Sequence, residues 1–186
     1  GMARTRTITY VGTTHFDPIW LWTWDEAMAS IRGTFRAALD RMVEEPRFVY
    51  SFSCPPVFEW VRETDPELFS EIRRRVKEGR WHLVEGWWLQ PDPNVASGES
   101  YCRQGLEGQR YLERIFGRRS STCFNTDSFG HNAQLPQILA KAGIRWTVFS
   151  RPSQNQLPLP GPLFRWEGID GTRILAFRAG GDGAHP

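Results

Sequence analysis

Apolar and polar residues change period several times along the chain, and each change predicts a new element. Residues 7–13 read as a first strand. From 25 to 44 the apolar residues Ile31, Phe35, Ala38, Leu39 and Met42 recur at helical spacing, which predicts one buried helix face. Pro46 stops that helix, and 48–52 is a second strand. Helices follow over 56–62 and 66–77; the later one has Asp65 as N-cap, Pro66 at its first position and Gly79 beyond its end. Residues 81–85 form a third strand, and a loop rich in Pro and aromatic residues runs from 87 to 94. Ser97 or Gly98 opens a helix that Gly117 ends, and 122–126 is a fourth strand. A short helix over 134–142 stops at Gly143, ahead of a fifth strand at 145–149. Past Pro152 the alternation breaks, and a Pro-rich loop leads to a hairpin, 163–166 and 173–177, about Asp170 and Gly171.

Strict alternation of strand and helix implies a mainly parallel sheet, doubly wound or closed into a barrel. Two features favour the barrel. Polar clusters follow the first and fourth strands, and Thr13-Thr14-His15-Phe16-Asp17 stands where a dinucleotide fold would carry its Gly-rich loop. A closed barrel takes about 250 residues, so the expectation is an α/β chain that holds the first part of one. Such a part leaves an unpaired edge on the fifth strand, which predicts a homo-oligomer through exposed sheet edges.

Composition narrows the partners. With 186 residues, 40% of them hydrophobic, the chain can bury a sizeable core. Net charge is +2. The densest basic group, Arg73, Arg74, Arg75 and Lys77, shares a helix with Leu68, Phe69, Ile72 and Val76 and reads as a solvated face, so no nucleic-acid partner is expected. No apolar run reaches membrane-spanning length and no signal peptide opens the sequence, so no membrane partner is expected either. Cys54, Cys102 and Cys123 are unpatterned and read as buried small hydrophobes of a reducing, cytoplasmic compartment. Five of nine tryptophans fall in two clusters, Trp20, Trp22 and Trp24, then Trp87 and Trp88. Indoles beside polar strand ends serve either as core or as stacking surfaces for sugar rings.

The chemistry concentrates in two places. His15 and Asp17, spaced i, i+2 on extended backbone just past the first strand, project to the same side. An imidazole and a carboxylate so placed offer mixed nitrogen and oxygen ligands to a borderline cation such as zinc. Asn125 to His131 ends the fourth strand, and Asp127 there brings a second carboxylate. Without that second cluster His15 and Asp17 would read as a turn or cap pair, and Asp127 has a minor alternative as a helix cap. Asp92 reaches the pocket rim or stabilises its own loop. His131 reads as structural, His82 as a core histidine and Glu85 as a strand-end hydrogen-bonding residue.

His15-x-Asp17-Pro18-x-Trp20-Leu21, the stretch from Glu78 to Trp88, and Asp127-Ser128-Phe129-Gly130-His131-Asn132 followed by Leu135 to Leu139 recur in order in one known family. Over about residues 7–177 the chain resembles the amino-terminal catalytic domain of glycoside hydrolase family 38, the α-mannosidases, in truncated form. The resemblance implies a partial seven-stranded β/α barrel and a zinc-dependent retaining α-mannosidase acting on terminal α-mannosyl linkages of a mannoside or oligosaccharide. It implies His15, Asp17 and Asp127 as zinc ligands, Asp127 also as nucleophile, Trp20 as the floor of the sugar subsite, Phe129 as its wall and Arg151 beside the nucleophile. It places the general acid and the remaining zinc-ligand histidine downstream of this chain. Residues 1–186 are thus expected to be one portion of a catalytic domain, with 1–6 a tag remnant and disordered start and 178–186 a disordered end. Two other readings compete. A metal-dependent polysaccharide deacetylase would carry a His-x3-His pair, and none occurs here. A non-catalytic carbohydrate-binding fragment would keep the aromatic floor and the metal but lack the acid.

Overall fold

The computed structural model describes residues 11–180. Five helices and seven strands alternate in the order β1 (Gly12–Thr13), α1 (Trp24–Glu44), β2 (Tyr50–Ser51), α2 (Pro55–Thr64), α3 (Pro66–Lys77), β3 (Trp81–His82), α4 (Gly98–Phe116), β4 (Thr122–Asn125), α5 (Leu135–Lys141), β5 (Trp146–Phe149), β6 (Leu163–Glu167) and β7 (Arg173–Arg178). Local chemistry sets the helix ends. Thr23 and Glu26 form a reciprocal capping box at the start of α1, Asp65 Oδ1 accepts from Leu68 N–H at α3, and Ser97 caps α4. Gly117 closes α4 in the left-handed conformation at φ 70°.

The strands form two sheets. β1, β2 and β3 run parallel in that order, and β4, β5, β7 and β6 form the second, parallel except for the antiparallel pair β6–β7. The architecture is therefore α/β with mostly parallel sheets, and among the described residues the sheets stay separate instead of joining into one closed barrel. The first three strands pair over only two residues each. Most of the predicted first strand, residues 7–10, lies outside the described residues. After His82 the third strand leaves its ladder, and Glu85 and Gly86, at φ 80° and 75°, take it out of extended conformation.

The hairpin corrects one expectation. It inserts β7 against β5, with Trp146 opposite Leu175 and Phe149 opposite Arg178, so the fifth strand has no unpaired edge there. The alternation on β7 suits this place: Ile174, Ala176 and Arg178 are buried, and Ile174 packs with Leu135 and Leu139 of α5 in the core beneath the sheet. Among the described residues the edge strands are β1 and β3 of the first sheet and β4 and β6 of the second. Arg178, expected in a disordered end, is the buried last residue of β7; its guanidinium donates to Leu157 O at 2.7 Å. His82 is exposed and not core, its Nε2 3.1 Å from Gly79 O. Cys102 is exposed too, whereas Cys54 and Cys123 are buried, the latter with its pKa pushed up to about 12 by burial. No helix among the described residues is long and apolar enough to cross a membrane.

Two cores share α4. Ile31, Phe35 and Leu39 of α1 pack with Phe58, Ile72 and Trp81 in the first; Trp87, Cys123, Leu135, Leu139 and Ile174 make the second. Tyr111 and Leu112 of α4 belong to the first and Tyr101 to the second. Gly108 lets α4 approach the backbone of Trp87 and Trp88, where Trp88 N–H donates to Gln104 O at 2.8 Å. A Cβ at 108 would overlap that backbone, which cannot give way as a side-chain tip could.

Gly108→Ala is expected to cost about 1–3 kcal/mol through overpacking. Gly33→Ala in α1, where an added Cβ meets nothing, is expected to gain about 0.5–1 kcal/mol. Urea unfolding midpoints compare the two, and a neutral Gly108→Ala would mean α4 does not lie where it is described.

Glu85 is 8% exposed, and burial pushes its carboxyl well above the ordinary carboxylate range. The unfolded chain ionises it near 4.5, so its contribution to stability is full below that pH and is lost as pH rises through the folded value. Glu85→Gln should therefore melt with wild type in acid and above it at neutral pH. Thermal melts across the range check this, and parallel curves would show that the side chain is hydrated in the folded protein.

Candidate active site

The parallel register builds the site from strand ends. In the second sheet Asn125 lies opposite Phe149. Two residues further, on the same facing, stand Asp127 and Arg151. They meet: Arg151 Nη2 is 3.1 Å from Asp127 Oδ1. Arg151 Cζ also sits 4.8 Å from the centre of the Phe129 ring, so the guanidinium is held between a carboxylate and an aromatic face.

The other carboxylate oxygen faces a different group. His15, past the end of β1, brings Nε2 to 4.0 Å from Asp127 Oδ2 and 3.2 Å from Asp17 Oδ1. One ligand atom from each of His15, Asp17 and Asp127 lies within 4.8 Å of the others. His15 Nδ1 is 3.3 Å from Thr126 Oγ1. A proton on Nδ1 shared with that hydroxyl leaves the Nε2 lone pair pointing at the two carboxylates, the tautomer a metal needs. One imidazole nitrogen and two carboxylate oxygens fit a divalent cation of the zinc kind.

A cleft of about 190 Å³ opens over this group, lined by His15, Asp17, Gln90, Pro91, Asp92, Asp127, Ser128 and Phe129. Asp92 lines the cleft, and its Oδ1 accepts from Asn94 N–H at 2.8 Å and Val95 N–H at 3.1 Å. Phe129 is 75% exposed at the cleft wall. Trp20 is not among the lining residues; it stands edge-on to Trp22 at 5.3 Å, while the Trp22 indole N–H donates to Asp17 O at 3.1 Å. Trp87 is core, its indole N–H donating to Asn125 Oδ1 at 2.9 Å, and Trp88 is partly exposed and packs edge-on to Tyr111 at 5.7 Å.

Four residues support the site, and the sequence assigned no site role to any of them. Thr126 orients His15, Gln90 reaches Ser128, Ser150 Oγ donates to Thr126 O, and His131 Nε2 lies 2.9 Å from Arg151 O. Only His131 stood inside a recognised motif. The others contact the site from loops whose paths depend on the second sheet.

Strand ends thus bring His15, Asp17 and Asp127 together beside a cleft of an α/β fold, a group that could hold a metal ion. The chain belongs to glycosyl hydrolases family 38, matching the N-terminal domain of that family over residues 5–180. It is 36% identical over 177 residues to alpha-mannosidase 2C1 of Homo sapiens, covering 95% of this chain and 17% of that protein. It is also 36% identical over 166 residues to alpha-mannosidase G of Dictyostelium discoideum, covering 89% and 15%. The crystal structure of an alpha-mannosidase from Enterococcus faecalis V583 superposes with a TM-score of 0.81 at 21% identity, over 91% of this chain and 19% of that one, a likeness of fold. The chain thus spans less than a fifth of the length of these relatives.

Purified protein is expected to retain a divalent transition-metal ion through dialysis, and His15→Ala to lose it, because three ligands cannot spare one. Elemental analysis of both reads the result. Equal metal in the two proteins would remove His15 from the ligand set.

Proposed function

We propose that this chain carries the nucleophile and most of the metal site of a zinc-dependent retaining α-mannosidase acting on terminal α-mannosyl linkages. The observation that carries the reading is the division of labour on Asp127: Oδ1 is paired with Arg151 and Oδ2 is turned toward His15. A retaining glycosidase needs one carboxylate held ionised and aimed at the anomeric carbon, about 5 Å from a second carboxyl that protonates the leaving oxygen. Arg151, 3.1 Å from Oδ1, limits the rotation of Asp127, so the attacking oxygen is presented from one side. His15, Asp17 and Asp127 would hold zinc, which when bound supplies a fixed positive charge beside the nucleophile and a template for sugar hydroxyls. Phe129 forms a wall for the apolar face of the ring and Asp92 the rim, while Trp20, the floor that the family resemblance implies, lies outside the lining of the cleft.

Membership in an α-mannosidase family supports the substrate class, and the lack of a His-x3-His pair counts against a deacetylase. The non-catalytic sugar-binding reading is favoured by one observation, the exposure of Phe129 and Trp20 without a neighbouring acid assigned as proton donor.

The chain alone is expected to turn over an aryl α-mannoside at a rate near background, since a general acid contributes about 10²–10⁴-fold. A chain extended to the length of its relatives should be active, and Asp127→Ala in it should abolish turnover. Activity that survives Asp127→Ala would end the nucleophile assignment; an extended chain that binds mannosides without turnover would favour the sugar-binding reading.

A further inference from the structure

We propose that His131 is a positioning residue: by holding the backbone of Arg151 it keeps the guanidinium on Asp127. Its consequence for catalysis rests on the reading of Asp127 as nucleophile; the contact itself does not.

His131 leaves the strand end four residues after Asp127, yet its ring returns to the end of β5. Nε2 lies 2.9 Å from the carbonyl oxygen of Arg151. A carbonyl can only accept, so Nε2 carries the proton and donates. The ring is fixed from the sides by Phe149, with centroids 4.9 Å apart, and by Trp166 at 5.9 Å, both edge-on. Nδ1 is buried and meets no partner among the described residues. Burial holds the pKa below the ordinary imidazole value, against a smaller opposing pull from the Arg151 carbonyl.

A half-buried imidazole whose Nδ1 has no partner among the described residues is a poorer packing choice than a phenyl ring of similar shape. What the phenyl ring lacks is the N–H that reaches Arg151. That bond matters because Arg151 is exposed and follows the strand instead of lying in it. Its guanidinium contacts, Asp127 Oδ1 at 3.1 Å and the Phe129 face at 4.8 Å, are surface contacts that lose most of their value if the backbone below them moves. Ser150 Oγ on Thr126 O ties the preceding residue to β4, so the two strand ends are cross-linked on both sides of the ion pair.

The test uses three variants. His131→Phe keeps the ring and removes the donor. His131→Gln removes the ring but places an amide N–H near the position of Nε2. Arg151→Ala removes the guanidinium. In nitrogen-15 NMR of the 186-residue protein, Arg151 should show a slowly rotating, slowly exchanging guanidinium in wild type. The signature should be lost in His131→Phe and kept in His131→Gln, with thermal melts confirming that both variants fold. In an active, extended chain, His131→Phe should lower kcat by roughly 10- to 100-fold with KM changed less than about twofold. It should cost nothing further in the Arg151→Ala background, the non-additivity expected of two residues acting as one. A guanidinium signature unchanged in folded His131→Phe, or full additivity with Arg151→Ala, would overturn the proposal. Should extended chains lack glycosidase activity while the NMR result holds, the functional reading fails and the positioning role stands.

Discussion

The absence of a side chain at position 108 lets α4 lie directly on the backbone of Trp87 and Trp88. That contact joins the two halves of the molecule. From it α4 sends Tyr111 and Leu112 into the core under the first sheet and Tyr101 into the core under the second. Gln109, next along the helix, donates to Ser120 O and Ala142 O and accepts from Ser120 N–H, which fixes the approach to β4. Trp87, buried in the same contact, donates to Asn125 Oδ1. Asp127 lies two residues beyond Asn125, so the placement of the nucleophile candidate relative to His15 follows from how closely a helix packs on a loop.

Within the site the groups limit one another. Each nitrogen of His15 and each oxygen of Asp127 has its own neighbour, so rotating either side chain would break two contacts at once. The side chains themselves remain about one-third exposed, His15 at 32% and Asp127 at 39%. Their geometry is therefore held from behind, by Thr126, Ser150 and His131, and not by burial of the charged atoms. A substrate or metal can reach them without the protein opening.

Local patterns carried far. The helical spacing of Ile31, Phe35, Ala38, Leu39 and Met42 identified the buried face of α1, and all five are buried. Asp65, Pro66, Ser97 and Gly117 marked helix ends because capping satisfies backbone groups within a few residues of the cap. The i, i+2 spacing of His15 and Asp17 anticipated their meeting for the same reason: it depends on a few torsion angles alone. The sequence also identified Asp127 as the third member, though only through a motif, since nothing local links residue 17 to residue 127.

What tertiary structure alone decided involves partners far apart in the chain. The alternation of strands and helices did not say that β7 would slip between β5 and β6, because a strand with one face to bury can pair with either edge. His82 had the composition of a core position and is exposed, while Glu85 is buried in a left-handed turn that no pattern of period two contains. Gly108 carried no signal in the sequence, yet a Cβ there would overlap the backbone of Trp87 and Trp88. The amino-acid sequence by itself determined the elements, their caps and the chemical groups at the strand ends. The order of the strands in the second sheet, the seat of α4 on Trp87 and Trp88 and the contacts of His131 and Thr126 were settled by packing, where each choice depends on surfaces that exist only after the chain has closed on itself.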